Sequence, residues 1–254
     1  MYRNKKTYQH VMMMLLSGAL TQPVHAGTMG PSENPVNGWV ATLSIGPVWG
    51  VTPTHQTLTL QPDIVKTYTN DSISNVIADG EIFLGLQRAF NPNLDWQLGL
   101  AVATTSNATL SGQIWDDGFP KFNNHAYSYQ LNHTHLAVKG KLLGNHYLSW
   151  VTPYVSASLG VAWNDAQGYS SNPLIFEALP LPAFASHSET SFTYTLGIGV
   201  QRAINQNWQV GVGYEFADWG QSQLGIAPGQ TMGHGLSMSH FYTNGLMFSL
   251  TFLA

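Results

Sequence analysis

The residues able to do chemistry are few. His187, Ser188 and Glu189 supply the three side-chain types of a nucleophilic triad. A triad needs its members within hydrogen-bond reach of one another. Contiguous residues on a strand point to opposite faces, so these three cannot form one among themselves. His133 and His135 are separated by one residue and share a strand face. Two imidazoles can bind a metal, but a complete site needs further ligands and none is evident. A Gly-rich phosphate loop in strand–turn–helix context, a CxxC pair and a basic run are all missing. The reading is therefore no catalytic residue, no metal and no cofactor. What remains is charge in unusual places: Glu81, His135, Lys139, Lys141 and Glu215 fall inside alternating apolar–polar stretches.

Those stretches are the elements that would position the charges. The last is the clearest, Leu246-Met-Phe-Ser-Leu-Thr-Phe-Leu-Ala254. Leu246, Phe248, Leu250 and Phe252 share one face, and Met247, Ser249 and Thr251 share the other. Seven more segments alternate: Trp39 to Trp49, Val76 to Phe90, Trp96 to Thr105, Tyr127 to Leu143, Trp150 to Asn164, Glu189 to Ile204 and Trp208 to Trp219. The closing strand spans about Ser237 to Phe252. One face is Leu, Ile, Val, Trp and Phe. The other is Gly, Ser, Thr, Gln and charge. A closed sheet with a polar inside and an apolar outside suits a lipid surrounding, and a soluble lipocalin-like barrel would be reversed.

Connections alternate in length. Asn91–Asp95, Gly144–Ser149 and Asn205–Asn207 are short and rich in turn formers. Segments 50–75, 106–126, 165–188 and 220–236 are long and polar, and are expected to be loops. This is the layout of short periplasmic turns and long extracellular loops. An internal repeat supports it: Gly85-Leu-Gln-Arg-Ala-Phe-Asn-Pro-Asn-Leu-Asp-Trp96 matches Gly199-Val-Gln-Arg-Ala-Ile-Asn-Gln-Asn-Trp208 with two residues fewer in the turn. Arg88 and Arg202 fall at outward parity beside those turns, where they can snorkel to phosphate groups. Trp39, Trp49, Trp96, Trp150, Trp163, Trp208, Tyr214 and Phe252 are the expected membrane-interface aromatics.

The fourth segment breaks the pattern. Tyr127, Tyr129 and Leu131 share a parity opposite to Leu136, Val138 and Leu142. Either a bulge falls near 132–135, or the upper part of the strand stands above the membrane. The second reading is preferred, because Ser128, Gln130, Asn132 and Thr134 would then face water.

Composition agrees. Charged residues are 9% of the 254 residues and aromatic ones 12%, with no cysteine, whereas soluble domains carry about 25% charged residues. Arg3, Lys5 and Lys6, the apolar stretch 11–20 and Val24-His25-Ala26 read as a secretory signal cleaved after Ala26. Residues 27–37 would be a periplasmic segment and 38–254 the barrel domain. Removing residues 1–26 leaves six basic against thirteen acidic residues, a net −7 that disfavours nucleic acid.

On the alternation, the turn–loop asymmetry and the C-terminal strand, the chain resembles the small eight-stranded outer-membrane β-barrels, such as the OmpA transmembrane domain, OmpX and the opacity proteins. The resemblance covers about Trp39 to Phe252 and rests on pattern. It implies an all-β, eight-stranded antiparallel transmembrane barrel in the outer membrane, surrounded by lipid and lipopolysaccharide. It also implies assembly machinery that reads a C-terminal aromatic; here Phe252 is followed by Leu253 and Ala254. Eight strands leave a lumen just wide enough for side chains to fill it. Glu81 lies about ten residues before the first turn and Glu215 about seven after the third, at similar heights. They are expected to form a lumen network with Lys139, Lys141 and His135, above an amide belt of Gln87, Gln97, Gln201 and Gln209. The leading function is a non-enzymatic surface barrel with a structural role, presenting loops to a host or matrix ligand. A narrow pore gated by the lumen charges is the alternative, and a lipid A-modifying enzyme a third.

Overall fold

A computed structural model describes residues 37–51, 55–73, 76–144 and 150–254. The expected signal segment, residues 27–36 and most of the Gly144–Ser149 turn lie outside them. Among the described residues, fourteen strands follow in order: β1 (Asn37–Gly50), β2 (Gln56–Gln61), β3 (Ile64–Tyr68), β4 (Ser72–Ile73), β5 (Ile77–Asn91), β6 (Leu94–Thr105), β7 (Ala108–Asp116), β8 (Asn123–Gly144), β9 (Thr152–Pro173), β10 (His187–Ala203), β11 (Trp208–Asp218), β12 (Ser222–Gln223), β13 (Ser237–Met238) and β14 (Tyr242–Leu253). Eight of them close a ring in the order β8-β6-β5-β1-β14-β11-β10-β9 and back to β8. Every pairing in the ring is antiparallel. The ring closes first to last through Ala41↔Phe252 and Leu43↔Leu250, which leaves no edge to expose unpaired backbone to lipid.

The parity of the wall follows the alternation. Leu43, Ile45, Leu84, Leu100, Val138, Leu159, Ile198 and Phe248 point outward and are exposed. Thr42, Ser44, Glu81, Gln97, Ser158, Thr195 and Thr251 point inward and are buried. The two repeat copies form hairpins with the same turn, in registers two residues apart: Gln87 pairs with Gln97 in one, and Gln201 with Gly211 in the other. Asn93 N donates to Asn91 Oδ1 at 2.9 Å, and Asn207 N donates to Asn205 Oδ1 at 2.9 Å. Each is an Asx turn, in which the side chain replaces a backbone acceptor.

The outer half corrects the expected loops. Within 50–75 lies the β2–β3 hairpin; within 106–126 lies β7, which pairs with β8 through Leu110↔Tyr129 and with β3 through Tyr68↔Ile114. Strand β9 climbs beside β8 as far as Pro173. Residues 174–186 between β9 and β10 carry no strand, and the stretch between β11 and β14 is mostly irregular, with the short β12–β13 pair inside it. The expected closing strand from Ser237 is interrupted, because Phe241 turns inward and bonds back to the β11 exit: Trp219 N donates to Phe241 O at 2.9 Å and Phe241 N to Gly220 O at 3.1 Å. Gly220 makes that bend at φ 73°, a backbone conformation glycine adopts without strain.

Strand β8 has no bulge at 132–135. Its register runs unbroken through Thr104↔Thr134 on one side and Asn132↔Asp165 to His135↔Ala162 on the other. Odd positions stay inside along its whole length, and Tyr127, Tyr129 and Leu131 are buried there. They join Tyr68, Phe184, Leu224, Trp219 and Phe241 in an apolar cluster inside the outer half. Below Thr134 the outward side of β8 is Leu136, Val138 and Leu142. Above it the outward side is Thr134, Asn132, Gln130 and Ser128. The side-chain character of both faces therefore exchanges at one height.

Leu43 is 55% exposed midway between Trp39 and Trp49. A Leu43→Arg variant is expected to lose about 2–4 kcal/mol of stability in lipid vesicles, measured by denaturant titration, because the position faces the bilayer midplane. Leu43→Phe should cost almost nothing.

Candidate functional site

The charged groups of the lumen sit at register positions flanked by small residues. Lys139 on β8 lies between Gly99 and Ser158. Glu81 on β5 lies between Ser44 and Ala103, and Glu215 on β11 between Gly197 and Gly245. The missing side-chain volume beside each charge is the space its own chain occupies. A Cβ added at Gly197 would come within 2.5 Å of Ser156 Oγ.

Across that space Lys139 Nζ donates to Glu81 Oε1 at 2.7 Å, to Glu81 Oε2 at 2.8 Å and to Glu215 Oε2 at 2.9 Å. The structure thus brings together three of the five charged residues singled out in the sequence. Lys141 does not join them. It reaches Gln201 Oε1 at 2.6 Å with its ammonium 3.8 Å from the Tyr154 ring centre, a cation–π contact. His135 does not join either: it lies higher, 4.9 Å from the Trp219 ring, and neither ring nitrogen has a hydrogen-bond partner among the described residues. The four glutamines form two separate pairs, Gln97 to Gln87 at 2.7 Å and Gln201 to Gln209 at 2.6 Å. Each pair spans one copy of the repeated hairpin, and Gln87 also donates to Asp95 Oδ2 at 3.3 Å. The cavity left between the charges is about 40 Å³, lined by Glu81, Gln97, Lys139, Tyr154, Glu215 and Met247. That holds a few water molecules and no larger solute.

The expected girdle residues Trp39, Trp49, Trp150, Trp163, Trp208 and Tyr214 are exposed on the outer wall. The Trp208 and Phe252 rings meet at a tilt of 57° with centres 5.1 Å apart near the turns, and Trp96 is half-buried on the same end. Tyr214 also donates to Asn244 Oδ1 at 2.6 Å.

Above the lumen, His187 Nε2 and Glu189 Oε2 are 3.2 Å apart on one face of β10, and Ser188 between them has the opposite parity. A His–carboxylate pair that the sequence reading missed joins His240 Nδ1 to Asp218 Oδ2 at 2.8 Å. Its members are 22 residues apart in sequence, and only the β11–β14 pairing reveals that they meet. Among the described residues no hydroxyl is hydrogen-bonded to His240, and no three His, Asp or Glu side chains are gathered as metal ligands. On the outer sheet Asp116 accepts from Lys66 and from Asn124 Nδ2, the latter at 2.6 Å. Burial alone would raise its carboxyl, but these two donors hold it below the ordinary value.

Residues 15–240 match the family model described as the outer membrane protein beta-barrel domain. The chain belongs to this family. It is also similar to solved outer-membrane barrels at low identity. Neisserial surface protein A is 13% identical with a TM-score of 0.42, over 84% of this chain and 96% of that one. The outer membrane protease OmpT of Escherichia coli is 10% identical with a TM-score of 0.46, over 87% and 98%. The attachment invasion locus protein Ail of Yersinia pestis is 12% identical with a TM-score of 0.33, over 85% and 98%. No curated protein matches the chain. As an outer-membrane barrel, the protein sits in lipid, and its apolar outer wall is the surface that lipid covers.

Removing Lys139 leaves Glu81 and Glu215 facing each other without a counter-charge. Lys139→Met is expected to lower unfolding stability in micelles by about 3–5 kcal/mol. Adding Glu81→Gln and Glu215→Gln should restore most of it, as read from the denaturant midpoint.

Proposed function

We propose that this protein is a non-enzymatic surface barrel whose outer extension presents an apolar tip to a host or matrix partner. The observation that carries the reading is the exposed cluster at the far end of β8 and β9. Phe176 is 100% exposed, Leu179 79% and Phe119 57%. Leu174, Ile175 and Phe122 are exposed beside them. The pieces are held together: Leu174 N donates to Asn124 O at 2.8 Å, and His125 Nε2 lies 2.9 Å from Leu179 O. Lys121 Nζ sits 4.7 Å from the Phe122 ring centre. Counted from Leu136 along the tilted strand, the tip stands roughly 30 Å above the bilayer. Exposed apolar groups raised on a stiff sheet are a common form of interaction surface.

The blocked lumen supports a surface role over a pore, since the Lys139 bridge fills the channel. In this reading the signal is removed after Ala26, and the assembly machinery engages the β14 strand through Phe252. The test is attachment of cells expressing Phe176→Ser with Leu179→Ser, with folding checked by heat-modifiable migration on a gel. Attachment is expected to fall at least severalfold with folding intact. Wild-type attachment by the folded variant would refute the reading.

A further inference from the structure

The outer mouth of the barrel is closed by the segment between β11 and β14, and the imidazole of His133 lies between the two ends of that segment. Trp219 and Phe241, one at each end of the segment, are both fully buried. Their rings stack on His133 of β8, with centres 5.2 Å and 4.7 Å away. Asn164 of β9 ties the segment down. Its Nδ2 donates to Trp219 O at 2.8 Å and to Gln221 O at 2.6 Å. Those two acceptors fix the orientation of the amide, so Oδ1 is the atom facing His133 Nδ1 at 2.6 Å. An oxygen there requires the imidazole to carry its proton on Nδ1. Nε2 is then a bare lone pair, buried and without a partner among the described residues.

We propose that His133 is a proton-sensitive latch: the cap between β11 and β14 is closed over the lumen while His133 is neutral and is released when it is protonated. The second proton would sit on Nε2, which is buried and faces no acceptor among the described residues. A cation in such a place is strongly disfavoured, whereas in an opened mouth water solvates it. His133 lies above the lipid-facing part of β8, and burial pushes it down to about 4, against the opposing pull of its bond to Asn164. Its ordinary value is 6.5. The closed cap is therefore fully favoured above the ordinary value and loses ground as pH falls towards 4. Between pH 7.5 and 5 the open fraction should rise about thirtyfold from this group alone.

The charged and titratable groups on the surrounding elements are Asp79 on β5, His135 and Lys139 on β8, Asp165 on β9, Glu215 and Asp218 on β11, and His240 just before β14. From β6 the neighbour is the neutral Thr105, whose Oγ1 accepts from His133 N at 3.1 Å. His240 bonds Asp218 across the two ends of the cap. That contact does not fasten the cap to β8 or β9.

The chain has no cysteine, so one introduced thiol reports one place. Ser222→Cys puts a thiol at a buried cap position, 2% exposed. Ser188→Cys, on an exposed position of β10, serves as the reference for thiol ionisation. The readout is the ratio of their labelling rates by a methanethiosulfonate in folded, heat-modifiable protein. The ratio is expected to rise by tenfold or more between pH 7.5 and 5. It should stay flat in His133→Phe and in His133→Gln, and should already be high at pH 7.5 in Asn164→Leu. A pH-independent ratio in the chain that keeps His133 overturns the proposal. So does an undiminished rise in whichever His133 variant folds, or loss of the rise in His135→Phe with His133 intact.

Discussion

A strand that crosses from lipid into water cannot keep the same side chains on the same side. In the bilayer, outward groups must be apolar, so the polar groups that give the lumen its chemistry are turned inward. Above the bilayer the outward groups meet water, and the inside becomes the place to bury apolar surface. Strand β8 spans both regimes with one unbroken inward–outward alternation; its register with β9 is continuous from Gln130 to Leu143 and shifts only between Ser128 and Gln130. Its inward row runs from Tyr127, Tyr129 and Leu131 to Lys139, and its outward row from Ser128 and Gln130 to Leu136 and Val138. The same backbone thus builds a polar lumen below and an ordinary apolar core above.

That exchange accounts for the order of layers inside the barrel. The charged bridge of Lys139, Glu81 and Glu215 lies where the wall faces lipid, satisfied by contacts of 2.7–2.9 Å and cushioned by Gly and Ser neighbours. The aromatic cluster with Trp219, Phe241 and Tyr127 lies where the wall faces water. His133 and His135 fall on the boundary, buried between the two. The cap fastens at this boundary through the rings of Trp219 and Phe241 on His133 and through the Asn164 amide.

Much of this was legible from residue order. Parity assigned the eight ring strands and the inward position of Glu81, Lys139 and Glu215, because period two is a geometric necessity of the strand. The repeated Gln-Arg-Ala hairpins were visible too, and their two Gln pairs are the structural expression of that repeat. The outer strands were not legible. β7 and the upper half of β9 are mixed polar segments that also pair with neighbours far along the chain, Ile114 of β7 beside Tyr68 and Ser171 of β9 beside Tyr127. Lys141 was placed correctly inside, yet height alone could not choose between Glu81 and the nearer Gln201. The His240–Asp218 contact and the double role of Asn164 depend on how the cap folds back, which no local spacing encodes.

The exchange of environment along β8 can be measured directly, again using the absence of native cysteine. Single cysteines placed in turn from 128 to 142 and labelled with a fluorophore would be tested in vesicles for quenching by brominated lipid and by aqueous iodide. Positions 136, 138, 140 and 142 should be quenched by lipid, positions 128, 130, 132 and 134 by iodide, and the odd positions by neither. Lipid quenching that continues up to 128 would contradict the account, as would a reversal of odd and even near 132–135.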